Sequence, residues 1–103
     1  MSQYIMTYFG GNHPKTPKEG QKHFAKYQEW LASLGEAVIS PMNPFQNTVT
    51  VNPDGSTAAG SKTMNTGYTV LQAGSIDAAV ELTKSCPFLD IGGTLEVSEL
   101  VQM

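Results

Sequence analysis

Two histidines, one cysteine and a scatter of aromatic rings are the side chains of this chain whose types could do chemistry. His23 leads, because imidazole is the group whose ordinary pKa lies nearest neutrality and which most readily serves as acid or base. It lies four residues before Tyr27 and seven before Trp30, so one helical turn or two would bring it beside both rings. Burial there would disfavour the charged imidazolium and leave a neutral base. His13 stands in the run Gly10-Gly11-Asn12-His13-Pro14 with no His, Cys or acidic residue at ligand spacing, so no metal site is expected. Cys86 falls in what the pattern gives as the last turn of a helix, where the helix dipole disfavours a thiolate. A buried, inert thiol is expected. Gly10-Gly11 and Gly92-Gly93 lack the offsets of a phosphate-binding loop, and no cofactor is expected. Tyr4, Tyr8, Trp30, Phe45 and Tyr68 could wall a pocket for a small planar molecule, or serve simply as core.

Those residues sit on 103 positions, a length that suits one domain spanning 1–103. Six Lys, no Arg and nine acidic residues give a net charge of −3. Nucleic-acid binders need a basic stripe and favour Arg for bidentate contacts, so no nucleic acid is expected as partner. A single Cys excludes an internal disulfide framework. No run is apolar and long enough to span a bilayer, and the first nine residues lack a basic leader, so the expectation is a cytoplasmic protein with no membrane partner.

The elements that would position these residues are legible. In Gln3–Phe9, Tyr4, Met6 and Tyr8 alternate with Ile5, Thr7 and Phe9, so both sides of this strand are largely apolar. Thr16-Pro17-Lys18-Glu19 is a capping box with Pro at the first helical position. The helix it opens runs 17–34, with Phe24, Tyr27, Leu31 and Leu34 as core stripe and His23 and Trp30 on its flank. A short strand at 37–40 is closed by Pro41. Thr48–Val51 and the turn Asn52-Pro53-Asp54-Gly55 suggest a projecting arm whose return, 57–64, is weakly structured. A strand at 67–73 follows, then a helix capped by Ser75 with Ile76, Ala79, Val80 and Thr83 inward, and a last strand through Leu95, Val97 and Val101.

Strand–helix–strand, arm, strand–helix–strand predicts an α+β, ferredoxin-like antiparallel sheet with two helices on one face. Positions such as Tyr4, Met6, Tyr68 and Val70, or their neighbours, would then leave the other face apolar and uncovered, which calls for a homodimer.

Gly35-Glu36-Ala37, Asn43-Pro44-Phe45, Gly67-Tyr68, Ser75-Ile76-Asp77-Ala78-Ala79, Cys86-Pro87 and Gly92-Gly93-Thr94-Leu95-Glu96-Val97, in that order, resemble the YCII-related family. The resemblance spans nearly the whole chain and implies the dimeric α/β barrel, two ferredoxin-like protomers joined through their sheets. It also implies a proposed His–Asp dyad, with His23 at the His position and Cys86 where the Asp before Pro would stand. The acidic partner is therefore missing, unless Asp90 or a partner protomer supplies one. Asp54-Gly55 matches half of the Asp-Gly-Pro-Phe signature of a second branch. The implied function is binding or catalysis on a small-molecule ligand near the dimer interface, with His23 as acid or base; Tyr8, Trp30, Phe45, Tyr68 and Cys86 are the candidate ligand-binding residues read beside it from the sequence. The alternative is a non-catalytic metabolite-binding or regulatory module.

Overall fold

A computed structural model describes residues 1–102. The chain forms β1 (Ser2–Gly10), α1 (Pro17–Leu34), β2 (Val38–Pro44), β3 (Val49–Val51), β4 (Thr57–Ala59), β5 (Asn65–Ala73), α2 (Ile76–Thr83) and β6 (Gly93–Glu99), with 3-10 turns at Gly35–Ala37 and Pro87–Ile91. Four strands make one antiparallel sheet in the order β2-β5-β1-β6. This is the ferredoxin-like α+β arrangement.

The register decides which residues share a face. Tyr4 pairs Leu71, Met6 pairs Thr69 and Ile5 pairs Val70. Tyr4, Met6 and Tyr8 thus lie with Thr69, Leu71 and Ala73 on the buried side of the sheet. The opposite face is built instead from Ile5, Thr7, Phe9, Tyr68, Val70 and Gln72, all half-buried. Tyr4 and Met6 therefore belong to the core and not to the open face, because period-two alternation assigns neighbours to opposite sides and only the pairing says which side is inward. Met6, Tyr8, Trp30, Leu71 and Cys86 form one core cluster, and Tyr4, Ala73 and Ala79 a second.

The capping box holds in modified form. Thr16 Oγ1 accepts from the Glu19 amide at 3.1 Å, and the Glu19 carboxylate reaches the Lys15 amide at 3.0 Å, one residue before the cap. The buried stripe of α1 is rotated from the expected one. Trp30 is its buried residue, with Tyr27, Leu31 and Leu34 packed beside it, while Phe24 is 46% exposed. Trp30 is held inward by a hydrogen bond from Nε1 to Ser85 Oγ at 3.0 Å.

Four further features differ from the expectation. β2 runs on through Pro41 to Pro44, which an edge strand tolerates because its outer side needs no ladder donor. The arm's return is not structureless: Thr57–Ala59 pairs with Val49–Val51 around a turn in which Gly55 takes φ +86°. β6 ends at Glu99, leaving Val101 exposed. α2 stops at Thr83, so Cys86 stands at the start of the 87–91 turn instead of in a helix's last turn.

Candidate functional site

At the end of the sheet where β2, β5 and α1 converge lies a cavity of about 170 Å³. Its lining includes His23, Phe24 and Tyr27 of α1, Met42 of β2, Tyr8 of β1 and Phe88 of the 3-10 turn, with apolar surface predominating. Each wall has a local cause. His23 and Tyr27 are one turn apart on α1 and share its face. Gly67 lets β2 come close: a Cβ there would stand 2.8 Å from the Asn43 carbonyl oxygen and 3.1 Å from Pro44 Cα. Gly93 makes room for the Phe88 ring, which a Cβ would meet at 2.2 Å. So seated, Phe88 meets the Tyr8 ring edge-on, centroids 5.1 Å apart at 81°.

Two lining residues, Tyr8 and Tyr27, bring their hydroxyls together with that of the buried Thr69. Tyr8 Oη is hydrogen-bonded to Tyr27 Oη and lies 2.6 Å from Thr69 Oγ1, and Tyr27 Oη is 3.3 Å from the same oxygen. Thr69 Oγ1 donates to the Pro41 carbonyl at 2.6 Å. That carbonyl lies where the ladder between β2 and β5 slips, between Ser40 and Asn43, so the threonine takes the place of a backbone donor. Thr69 is fully buried and Tyr8 nearly so. Desolvation, above all, pushes the Tyr8 phenol above its ordinary range. Tyr8 therefore stays protonated.

The site residues read from the sequence divide in two. His23, Tyr8 and Tyr68 line the cavity. Trp30 and Cys86 lie in the core behind it, and Phe45 lies outside its lining, its ring meeting Tyr68 at 5.8 Å. Trp30 is screened by Tyr27, which stacks on it with centroids 5.9 Å apart at 29°. Cys86 is buried, and desolvation chiefly pushes its thiol up to about 11. A thiol so placed remains protonated and unreactive. His13 is exposed in its loop.

His23 is half-buried at the rim, and no described carboxylate forms an ion pair with it. Asp90 shares a neighbouring groove with His23, yet lies beyond ion-pair distance. The imidazole thus faces the cavity without an orienting carboxylate, and what it can do is hydrogen-bond a ligand or exchange a proton with one. No group of three or more His, Cys, Asp or Glu among the described residues could hold a metal ion. Tyr27, Thr69 and Phe88 were not singled out beforehand. The available signal was polar: a tyrosine on an apolar helix stripe and a threonine inside an apolar strand both need partners when buried.

Comparison with protein-family models and with curated proteins finds no match. Among solved structures, the chain is similar to 5-chloro-2-hydroxyhydroquinone dehydrochlorinase (TftG) from Burkholderia phenoliruptrix AC1100, solved in complex with 2,5-dihydroxybenzoquinone. The two superpose with a TM-score of 0.60 at 16% identity, over 98% of this chain and 95% of that one. At that identity the likeness establishes the fold alone, the α+β, ferredoxin-like architecture already drawn from the register.

Proposed function

We propose that this chain is a YCII-related homodimeric protein that binds a single-ring, oxygen-bearing molecule in the cavity between α1, β5 and Phe88, with His23 as the acid–base or hydrogen-bonding group at its rim. The observation that carries this is the cavity itself. Its lining combines apolar aromatic surface with the hydroxyl-bearing Tyr8 and Tyr27 and the unpaired imidazole of His23. Its size suits one ring: apolar cavities of about 150 Å³ take benzene. The dehydrochlorinase of similar fold was solved with a hydroxylated quinone, a ligand of that class, which supports the choice.

A second reading, binding without turnover, is favoured by one feature. His23 lacks the carboxylate that would fix its tautomer for repeated proton transfer. Titration with 2,5-dihydroxybenzoquinone, followed by NMR, tests both. Saturable shifts confined to His23, Tyr27, Phe88 and Tyr68 are expected, and shifts spread over the surface would remove the proposal. His23→Ala should keep the fold, since its side chain makes no hydrogen bond with the described residues, and weaken binding about tenfold. Chemical conversion of the probe, lost in His23→Ala, would mark an enzyme; binding with no conversion would mark the binding module.

A further inference from the structure

The proton positions in the hydroxyl cluster follow from its distances. Thr69 has one hydroxyl proton and donates it to the Pro41 carbonyl at 2.6 Å. A carbonyl can only accept, which sets the direction of that bond. Tyr8 Oη lies 2.6 Å from the same threonine oxygen. Two oxygens so close need a proton between them, and Tyr8 alone has one left to place there. Tyr8 therefore donates to Thr69. Tyr27 Oη touches Tyr8 Oη, whose proton is already used, so Tyr27 donates to Tyr8. The alternative, Tyr8 donating outward to Tyr27, would leave the 2.6 Å contact with Thr69 without a proton. The chain of bonds thus runs one way, from Tyr27 through Tyr8 and Thr69 to the Pro41 carbonyl. The Tyr27 proton is committed inward, on a residue that lines the cavity.

We infer that Tyr27 is a specificity-determining residue that presents an acceptor, so that the cavity selects rings bearing an O–H or N–H donor over rings bearing only acceptor oxygens. This rests on the cavity being the ligand site. Its physical basis is that a carbonyl set against the Tyr27 lone pairs gains no hydrogen bond and leaves its own desolvation uncompensated. Receiving a proton from Tyr27 would require breaking the bond to Tyr8. Thr69 is the positioning residue, since its commitment to Pro41 sets the direction of everything upstream.

Benzyl alcohol and benzaldehyde share a heavy-atom skeleton and differ in the donor, which makes them the probes. NMR titration of the folded protein should show the alcohol bound about tenfold more tightly than the aldehyde. In Tyr27→Phe, whose ring can keep its stack on Trp30, that preference should vanish. In Thr69→Val the Tyr8 proton loses its acceptor and turns to Tyr27, whose own proton then faces the cavity, and the preference should invert toward the aldehyde. Equal affinities in the parent protein, or a preference that survives Tyr27→Phe, would overturn the inference while leaving the cavity as ligand site. A folded Thr69→Val protein with the parent preference would overturn it as well. If that variant does not fold, Tyr27→Phe decides alone. Failure of both probes to bind the parent protein would remove the cavity reading and this inference with it.

Discussion

Cys86 shows how environment silences a reactive residue type. Its thiol is buried among Met6, Tyr8, Trp30 and Leu71, and desolvation is the largest cause of a pKa raised from 9.0 to about 11. A thiol reagent should label the native protein slowly and the denatured protein fast; equal rates would place Cys86 at the surface. The shift also sets a pH dependence. Above about pH 9 the unfolded chain loses the thiol proton while the folded chain keeps it, so the unfolded state binds fewer protons and stability falls as pH rises toward 11. Tyr8 acts in the same direction from pH 10 upward, since its folded-state pKa is also raised. Chemical denaturation across this range should show the decline, and Cys86→Ala should flatten the part that begins near pH 9.

At the scale of elements, the cavity exists because two glycines permit close approaches and one 3-10 turn presents a ring. Gly93 opens β6 where Phe88 lies across it, and an added Cβ would overlap the ring at 2.2 Å. Gly93→Ala should force Phe88 off the Tyr8 edge, destabilising the fold by about 1–3 kcal/mol through overpacking. Because Phe88 is also a cavity wall, the same change should weaken 2,5-dihydroxybenzoquinone binding. Denaturant midpoints and the binding isotherm measure the two effects separately. A variant unchanged in both would mean that the ring turns aside freely and does not shape the site.

The whole molecule exposes more than a monomer of its size should. Its accessible surface is 7033 Å², where a folded chain of this mass exposes about 5,700 Å². Its radius of gyration of 15.0 Å exceeds the roughly 13 Å expected for its length, and it is a slab of 44 × 41 × 18 Å. The excess, on the order of 1,400 Å², is more than the ~800 Å² each partner gives to a standard interface. The open sheet face carries the half-buried Ile5, Phe9, Tyr68 and Val70, and the arm exposes Val49 and Val51. Sedimentation at micromolar concentration should therefore report twice the 11.1 kDa chain. Val70→Lys, at the centre of the open face, should give a folded monomer. A parent protein that sediments as one chain would sink the homodimer.

The fold was legible before any coordinates because its signals are local. Alternation in β1 and β5, the Thr16 capping box, the Ser75 cap and the Pro53-Asp54-Gly55 turn each depend on residues a few positions apart, and their order alone implies the ferredoxin-like sheet. Even there, local signals misjudged what neighbours decide. Pro41 looked like a strand end until β2 proved to be an edge, and Phe24 looked like core until α1 was found turned toward Trp30. Of the cavity's lining, His23, Tyr8 and Tyr68 could be picked by type. Tyr27 and Thr69 could not, for they are 42 residues apart in the chain and become one hydrogen-bonded unit only through the pairing of β1 with β5 and the seating of α1. Periodicity tells which residues share a face, and the strand pairing tells which face is inward. Only the tertiary arrangement, by bringing one carbonyl of Pro41 to one hydroxyl of Thr69, determines where each proton in the cluster points.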